Sequence, residues 1–133
     1  MRNIIMTLNI IAIIILLAWG GYILYWYLAG RNAAKYVKQE EYVGLMHTSQ
    51  IIDLREKDEY RRSHIMGARN IPFSIFKQSY NGIRKDKSVL LYDTTTSMST
   101  RAAITLKKAG YQDIVILKGG FTGWTGKKAN KNG

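Results

Sequence analysis

Asp93 stands between a short apolar run, Leu90-Leu91-Tyr92, and a stretch rich in hydroxyls, Thr94-Thr95-Thr96-Ser97-Met98-Ser99-Thr100. The next residues, Arg101-Ala102-Ala103-Ile104-Thr105-Leu106-Lys107-Lys108-Ala109, carry a helical pattern. A strand, a tight loop and a helix N-terminus in that order build a cradle of backbone N–H groups, suited to an anion or a reacting group. Asp93 falls at the floor of that cradle. A carboxylate there has two chemistries open to it. It can attack as a nucleophile, or it can accept hydrogen bonds from the N–H groups around it.

The elements that must position this loop alternate along the chain. Residues 34–37 read as a short strand, 40–47 as a helix, and the apolar run Ile51-Ile52-Asp53-Leu54 as a buried strand. A charged helix is expected over 57–62. Gly67-Ala68-Arg69-Asn70-Ile71 enters a strand that Pro72 stops. Residues 74–80 are expected to be helical, and Asn81-Gly82 is a turn signal. Residues 89–92 are the clearest strand. Ser99 is expected to cap the helix that Gly110 ends. Residues 114–117 form a last strand, and Gly119-Gly120 opens a short final helix. Short apolar strands alternating with helices predict an α/β fold, a central, mostly parallel sheet flanked by helices.

Before these elements lies a different kind of segment. Residues 4–28 contain no charged side chain and end in Trp19, Tyr22, Tyr25, Trp26 and Tyr27. Roughly 20 apolar residues cross a bilayer as a helix, and Trp and Tyr gather at its interface. The run exceeds the 7–15 residues or so of a signal-peptide core, and Trp26-Tyr27-Leu28-Ala29-Gly30 makes a poor cleavage site. An uncleaved transmembrane helix at 4–28 is expected, embedded in membrane lipid, with Gly30-Arg31-Asn32 as a short break after it. Arg2 precedes the span, whereas Arg31, Lys35 and Lys38 follow it, which places the soluble domain in the cytoplasm of a single-pass cell-membrane protein.

Composition excludes several function classes. The chain has 133 residues, 20 Lys and Arg against 9 Asp and Glu, and a formal charge of +11. All but one of the basic residues fall after residue 30, but they are scattered, with no basic stripe interleaved with aromatics, which argues against nucleic acid. Positive charge beside anionic lipid needs no specific site. There is no cysteine, so no disulfide, thiolate metal site or cysteine nucleophile exists. His47 and His64 show no ligand spacing and read as structural or surface residues; no metal and no cofactor is expected. Residues 127–133, rich in Lys, Asn and Gly, read as a basic flexible tail. Nothing in the sequence fixes an oligomeric state.

Four segments occur in a telling order: Ile51-Ile52-Asp53-Leu54-Arg55-Glu56; then Glu59-Tyr60 with Ser63-His64-Ile65-Met66-Gly67-Ala68-Arg69-Asn70-Ile71-Pro72; then the loop from Tyr92 to Ser99; then Leu117-Lys118-Gly119-Gly120-Phe121-Thr122-Gly123-Trp124. Together they resemble a rhodanese-like domain over nearly all of residues 35–125, giving a domain at 31–126. The resemblance implies a rhodanese fold and sulfur transfer through a cysteine persulfide at the end of the central strand, with five loop residues and a Ser or Thr at the helix start. Asp53 and Arg55 sit at a strand's carboxyl end, where α/β sheets place their sites, and an ion pair ordering the neighbouring loops is the favoured role. Phe121 and Trp124 are expected in the core.

The resemblance breaks at the decisive points. Asp93 occupies the cysteine position, Thr96 a position where glycine is common, and Met98 one where arginine is common. Ser99 and the loop length are kept. Sulfur transfer needs a nucleophile that forms and releases an S–S bond, which a carboxylate does not provide. No catalytic residue is expected. The chain is read as a binding or regulatory pseudo-sulfurtransferase whose loop, Asp93, Thr94, Thr95, Thr96, Ser97, Met98 and Ser99, takes a protein partner or a small polar ligand. Two enzymatic alternatives stand beside this: a rhodanese-type sulfurtransferase using an external thiol, and an Asp93-dependent hydrolase. The latter resembles aspartyl-phosphate enzymes, but Thr95 stands where their second Asp is expected, and no carboxylates for a magnesium ion are visible.

Overall fold

A computed structural model describes residues 2–130. The chain opens with helix α1, Arg2–Ala33, followed by strand β1, Lys35–Val37, and helix α2, Gln39–Leu45. Strand β2, Ser49–Asp53, leads to helix α3, Lys57–Arg62, and to two very short strands, β3, His64–Ile65, and β4, Arg69–Asn70. After helix α4, Phe76–Ser79, come strand β5, Ser88–Tyr92, helix α5, Ser97–Lys108, strand β6, Ile114–Leu117, and strand β7, Lys128–Ala129. Five strands form one parallel sheet in the order β1-β6-β5-β2-β4; β3 and β7 pair antiparallel beside it.

Strands buried on both faces carry continuous apolar runs, and β2, β5 and β6 do. Successive side chains of a strand face opposite sides. Ile51, Leu90 and Val115 accordingly join one core cluster, while Ile52, Leu91 and Ile116 join the other. The second of these also receives Ala102, Ala103 and Leu106 of α5 and Ala33 at the end of α1. The first holds Tyr42 of α2 and Trp124, whose rings meet edge to face at 6.2 Å.

Helix α1 is long and apolar enough to span a membrane, with a mean hydropathy of 2.4 over its most apolar stretch. It does not break at Gly30-Arg31-Asn32. It runs on to Ala33, and the Ala34 N–H still donates to the Gly30 carbonyl at 3.2 Å. The reason is packing. Ala33 is buried in the sheet's core, and Gly30 lies so close to α5 that a Cβ there would fall 2.7 Å from Thr100 Cγ2 and 2.9 Å from the Tyr36 hydroxyl. The first residues of the expected flexible tail, 127–133, pair with the domain instead. Lys128–Ala129 forms β7, and the Lys127 carbonyl accepts from the Met66 N–H and from Trp124 Nε1, each at 3.2 Å. Residues 131–133 of that tail lie outside the described residues.

The segment expected as one helix over 74–80 is broken into three short turns of helix, Phe73–Ile75, Phe76–Ser79 and Tyr80–Gly82. Phe76 is its buried anchor, and the ring stacks on Tyr80.

Candidate functional site

Strand β5 carries Asp93 to the carboxyl edge of the sheet, and α5 begins four residues later at Ser97. Asp93 is 2% exposed. Its Oδ2 accepts the Met98 N–H at 3.3 Å, and its Oδ1 accepts the Ser99 N–H at 3.2 Å and the Ser99 hydroxyl at 2.5 Å. Both amides belong to the first turn of α5, whose donors have no partner inside the helix. A carboxylate at a helix N-terminus also meets the positive end of the helix dipole.

The expectation that Ser99 caps α5 is therefore corrected. The helix starts two residues earlier, Thr96 holds the cap position without a side-chain cap bond, and Ser99 is buried within the first turn. Its hydroxyl turns back to Asp93, and Asp93 does the capping. The two roles swapped because a charged acceptor outcompetes a hydroxyl for the same amides.

The rest of the loop faces outward. Thr94, Thr95, Ser97 and Met98 are exposed and Thr96 is half-buried. The loop's backbone is held from the other side by the turn after β6. The Phe121 N–H donates to the Asp93 carbonyl at 2.8 Å, and the Thr122 N–H and hydroxyl donate to the Thr94 carbonyl at 3.2 and 2.9 Å. Gly120 makes this possible. Its φ of +57° is a conformation side chains avoid, and a Cβ there would lie 2.3–2.6 Å from the carbonyl oxygens of Asp93, Thr94 and Thr95.

Asp53 and Arg55 lie beneath the loop rather than in it. They form a buried ion pair, Arg55 Nη2 to Asp53 Oδ2, at 2.8 Å. Asp53 also accepts the Arg55 N–H at 2.8 Å and the Tyr92 hydroxyl at 2.6 Å. Arg55 Nη2 donates to the Ser63 carbonyl at 2.6 Å, and its guanidinium sits 4.0 Å from the centre of the Phe121 ring. Phe121, expected in the core, is half-buried and covers that guanidinium; Trp124 is in the core. Tyr92 and Phe121 thus connect the pair to the two segments that frame the loop. Burial, followed by the charge of Asp53, pushes the Tyr92 phenol well above its ordinary range.

His64 packs against α3. His64 is buried, stacked on Tyr60 at 3.7 Å, with Nδ1 2.7 Å from the Tyr60 carbonyl. Among the described residues no three His, Cys, Asp or Glu side chains converge as a metal site. What the sequence did not reveal are Tyr92, Gly120 and Thr122 as supports of the loop, because each acts across a long sequence separation. It also did not reveal a cleft beside the loop, lined in part by Trp26 and Arg31 of α1.

This strand–loop–helix, with an Asp–Arg pair beneath it and a double-glycine turn beside it, defines a class. The family model of the rhodanese-like domain matches residues 38–127, and the chain belongs to that family. It is 44% identical over 124 residues to the uncharacterized protein YqhL of Bacillus subtilis, a match covering 92% of this chain and 98% of YqhL. It is 35% identical over 80 residues to the uncharacterized protein YibN of Escherichia coli, covering 58% of this chain and 56% of YibN. The crystal structure of a rhodanese-like domain protein from Staphylococcus aureus superposes with a TM-score of 0.66 at 22% identity, over 73% of this chain and 98% of that one, and shares the fold.

Proposed function

We propose that this chain is a membrane-anchored rhodanese-like protein that binds rather than reacts, its domain held at the cytoplasmic face by α1. One observation carries the reading: the cradle that would hold a reacting sulfur anion is filled from within. Asp93 occupies the end of β5, where the family resemblance puts the cysteine, and uses both amides of the α5 start together with the Ser99 hydroxyl. A fixed negative charge there repels a thiosulfate-like donor, and no S–S bond can form without a thiol. As a nucleophile Asp93 would have to surrender these bonds from a site 2% exposed. The surface left for a protein partner or small polar ligand is the exposed row Thr94, Thr95, Ser97 and Met98. The match to YqhL extends well into α1, which supports the helix as an integral part of this type of protein.

The test is sulfur transfer from thiosulfate to cyanide by the full chain in detergent, with and without Asp93→Cys. The expected result is the uncatalysed rate for the natural chain and a measurable gain for Asp93→Cys, because the loop, its amides and Gly120 remain. Turnover by the natural chain would overturn the reading. A folded Asp93→Cys variant without any gain would show that the cradle itself is lost.

A further inference from the structure

One cleft adjoins the loop described above and shares Thr96 and Ser97 with it. It encloses about 810 Å³ between the last turns of α1 and the start of α5. Its lining combines two chemistries. Tyr22, Ile23 and Trp26 of α1 supply apolar and aromatic surface. Three cations reach the same cleft from separate elements, Arg31 from α1, Arg101 from α5 and Lys118 from the turn after β6. Thr96, Ser97 and Thr100 add hydroxyls to the lining.

The cations are held but not neutralised. The Arg101 guanidinium lies 5.4 Å from the Trp26 ring centre, and that of Arg31 lies 5.7 Å from the Tyr27 ring. Among the described residues none of the three forms an ion pair. Depth adds a second constraint. A hydrocarbon core of about 30 Å takes roughly 20 helical residues, which, counted from Ile4, ends at Ile23. Trp26 and Arg31 then fall about 5 Å and about 12 Å beyond it, at the level of lipid headgroups.

We infer that this cleft binds the phosphate headgroup of an anionic lipid drawn from the leaflet in which α1 ends. The phosphate meets Arg31, Arg101 and Lys118, and the first acyl methylenes lie along Tyr22, Ile23 and Trp26. A free anion would need only the cations. The apolar wall, continuous with the surface that α1 turns to the bilayer, selects a lipid. A zwitterionic headgroup brings its own cation among three others and is disfavoured. The bound headgroup touches Thr96 and Ser97, so the lipid meets the same loop that Asp93 anchors. The inference rests on the anchoring half of the proposed function.

The test uses the full chain in detergent, with thermal unfolding followed during titration with phosphatidylglycerol, with phosphatidylcholine of the same acyl chains, and with inorganic phosphate. The expected result is at least tenfold tighter binding of phosphatidylglycerol than of phosphatidylcholine, and no saturable effect of phosphate. Arg101→Gln and Lys118→Gln, both at exposed positions, each weaken phosphatidylglycerol about fivefold and leave phosphatidylcholine unchanged. Lys107→Gln, exposed on the far end of α5, changes neither. Equal affinity for the two lipids overturns the inference, as does an equal loss in Lys107→Gln, which would mean diffuse attraction. Saturation by phosphate alone would make it a free-anion site. Failure of the anchor itself is read separately, as release of the chain from alkali-washed membranes.

Discussion

Asp93 and Tyr92 are neighbours that face opposite sides of the sheet, and each ties a different part of the domain to β5. Asp93 reaches forward to α5. Tyr92 reaches down to Asp53, and its oxygen also accepts the Ile65 N–H at 3.0 Å. Burial first, then the Asp53 charge, holds the Tyr92 phenol far above its usual value, and the same two causes act on Tyr42. The unfolded chain releases phenolic protons near pH 10. Above that pH the folded state keeps protons that the unfolded state has lost, so stability is full below about pH 10 and falls as pH rises, by up to about 1.4 kcal/mol per unit for each phenol. Among the described residues the Tyr42 hydroxyl has no hydrogen-bond partner, so Tyr42→Phe is expected to cost little at neutral pH and to flatten the alkaline fall. Tyr92→Phe leaves the Ile65 N–H without its acceptor and is expected to cost about 1–3 kcal/mol at neutral pH. Unfolding midpoints of the three chains between about pH 8 and pH 11 decide this; an unaltered alkaline slope in Tyr42→Phe sinks it.

At the scale of elements, the junction of α1 with α5 depends on Gly30. The helices approach so closely there that any side chain must displace Thr100 or break the 2.6 Å hydrogen bond between the Tyr36 and Thr100 hydroxyls. Gly30→Leu is expected to separate the end of α1 from α5, expose Trp26 to water and cost about 1–3 kcal/mol in lost burial, while the sheet stays intact. Faster amide exchange confined to the first turns of α5 and the last turn of α1 is the signature; unchanged exchange there refutes it. Gly30 also shows where sequence patterning stops. The buried strands were legible because apolar runs such as Val89-Leu90-Leu91-Tyr92 mark parallel sheets, and the loop after Tyr92 was legible because strand, hydroxyl cluster and helix are local in sequence. Gly30-Arg31-Asn32 reads locally as a break, and only the pocket that Ala33 fills and the groove that Gly30 fits decide for helix. The two-residue strands β3 and β7 carry too little pattern to be read, since their pairing spans 64 to 129. Ser99 had the composition of a cap but lost that role to an acceptor six residues away.

For the whole molecule, the end of α1 belongs to the sheet domain as much as to the long apolar helix. Trp26 and Ala29 pack against the core cluster that contains Ala33, Ala102, Ala103 and Leu106. The end of α1 and the sheet therefore pack as one unit at their junction, and a cut made at the apparent break removes side chains that pack against the core. A chain starting at residue 31 keeps Ala33 but loses Trp26, Ala29 and Gly30, with the Ala34 N–H deprived of its acceptor. Such a fragment is expected to be less stable than one starting at residue 24 by about 1–3 kcal/mol, since one large half-buried aromatic is lost. For a domain of this size each kcal/mol lowers the unfolding midpoint by about 4–8 °C. Both fragments lack most of the apolar span and can be compared in the same buffer by thermal unfolding. Equal midpoints would mean that α1 merely tethers the domain. A lower midpoint for the shorter fragment would mean that the last turns of α1 complete the wall on which α5, and through it the Asp93 loop, is built.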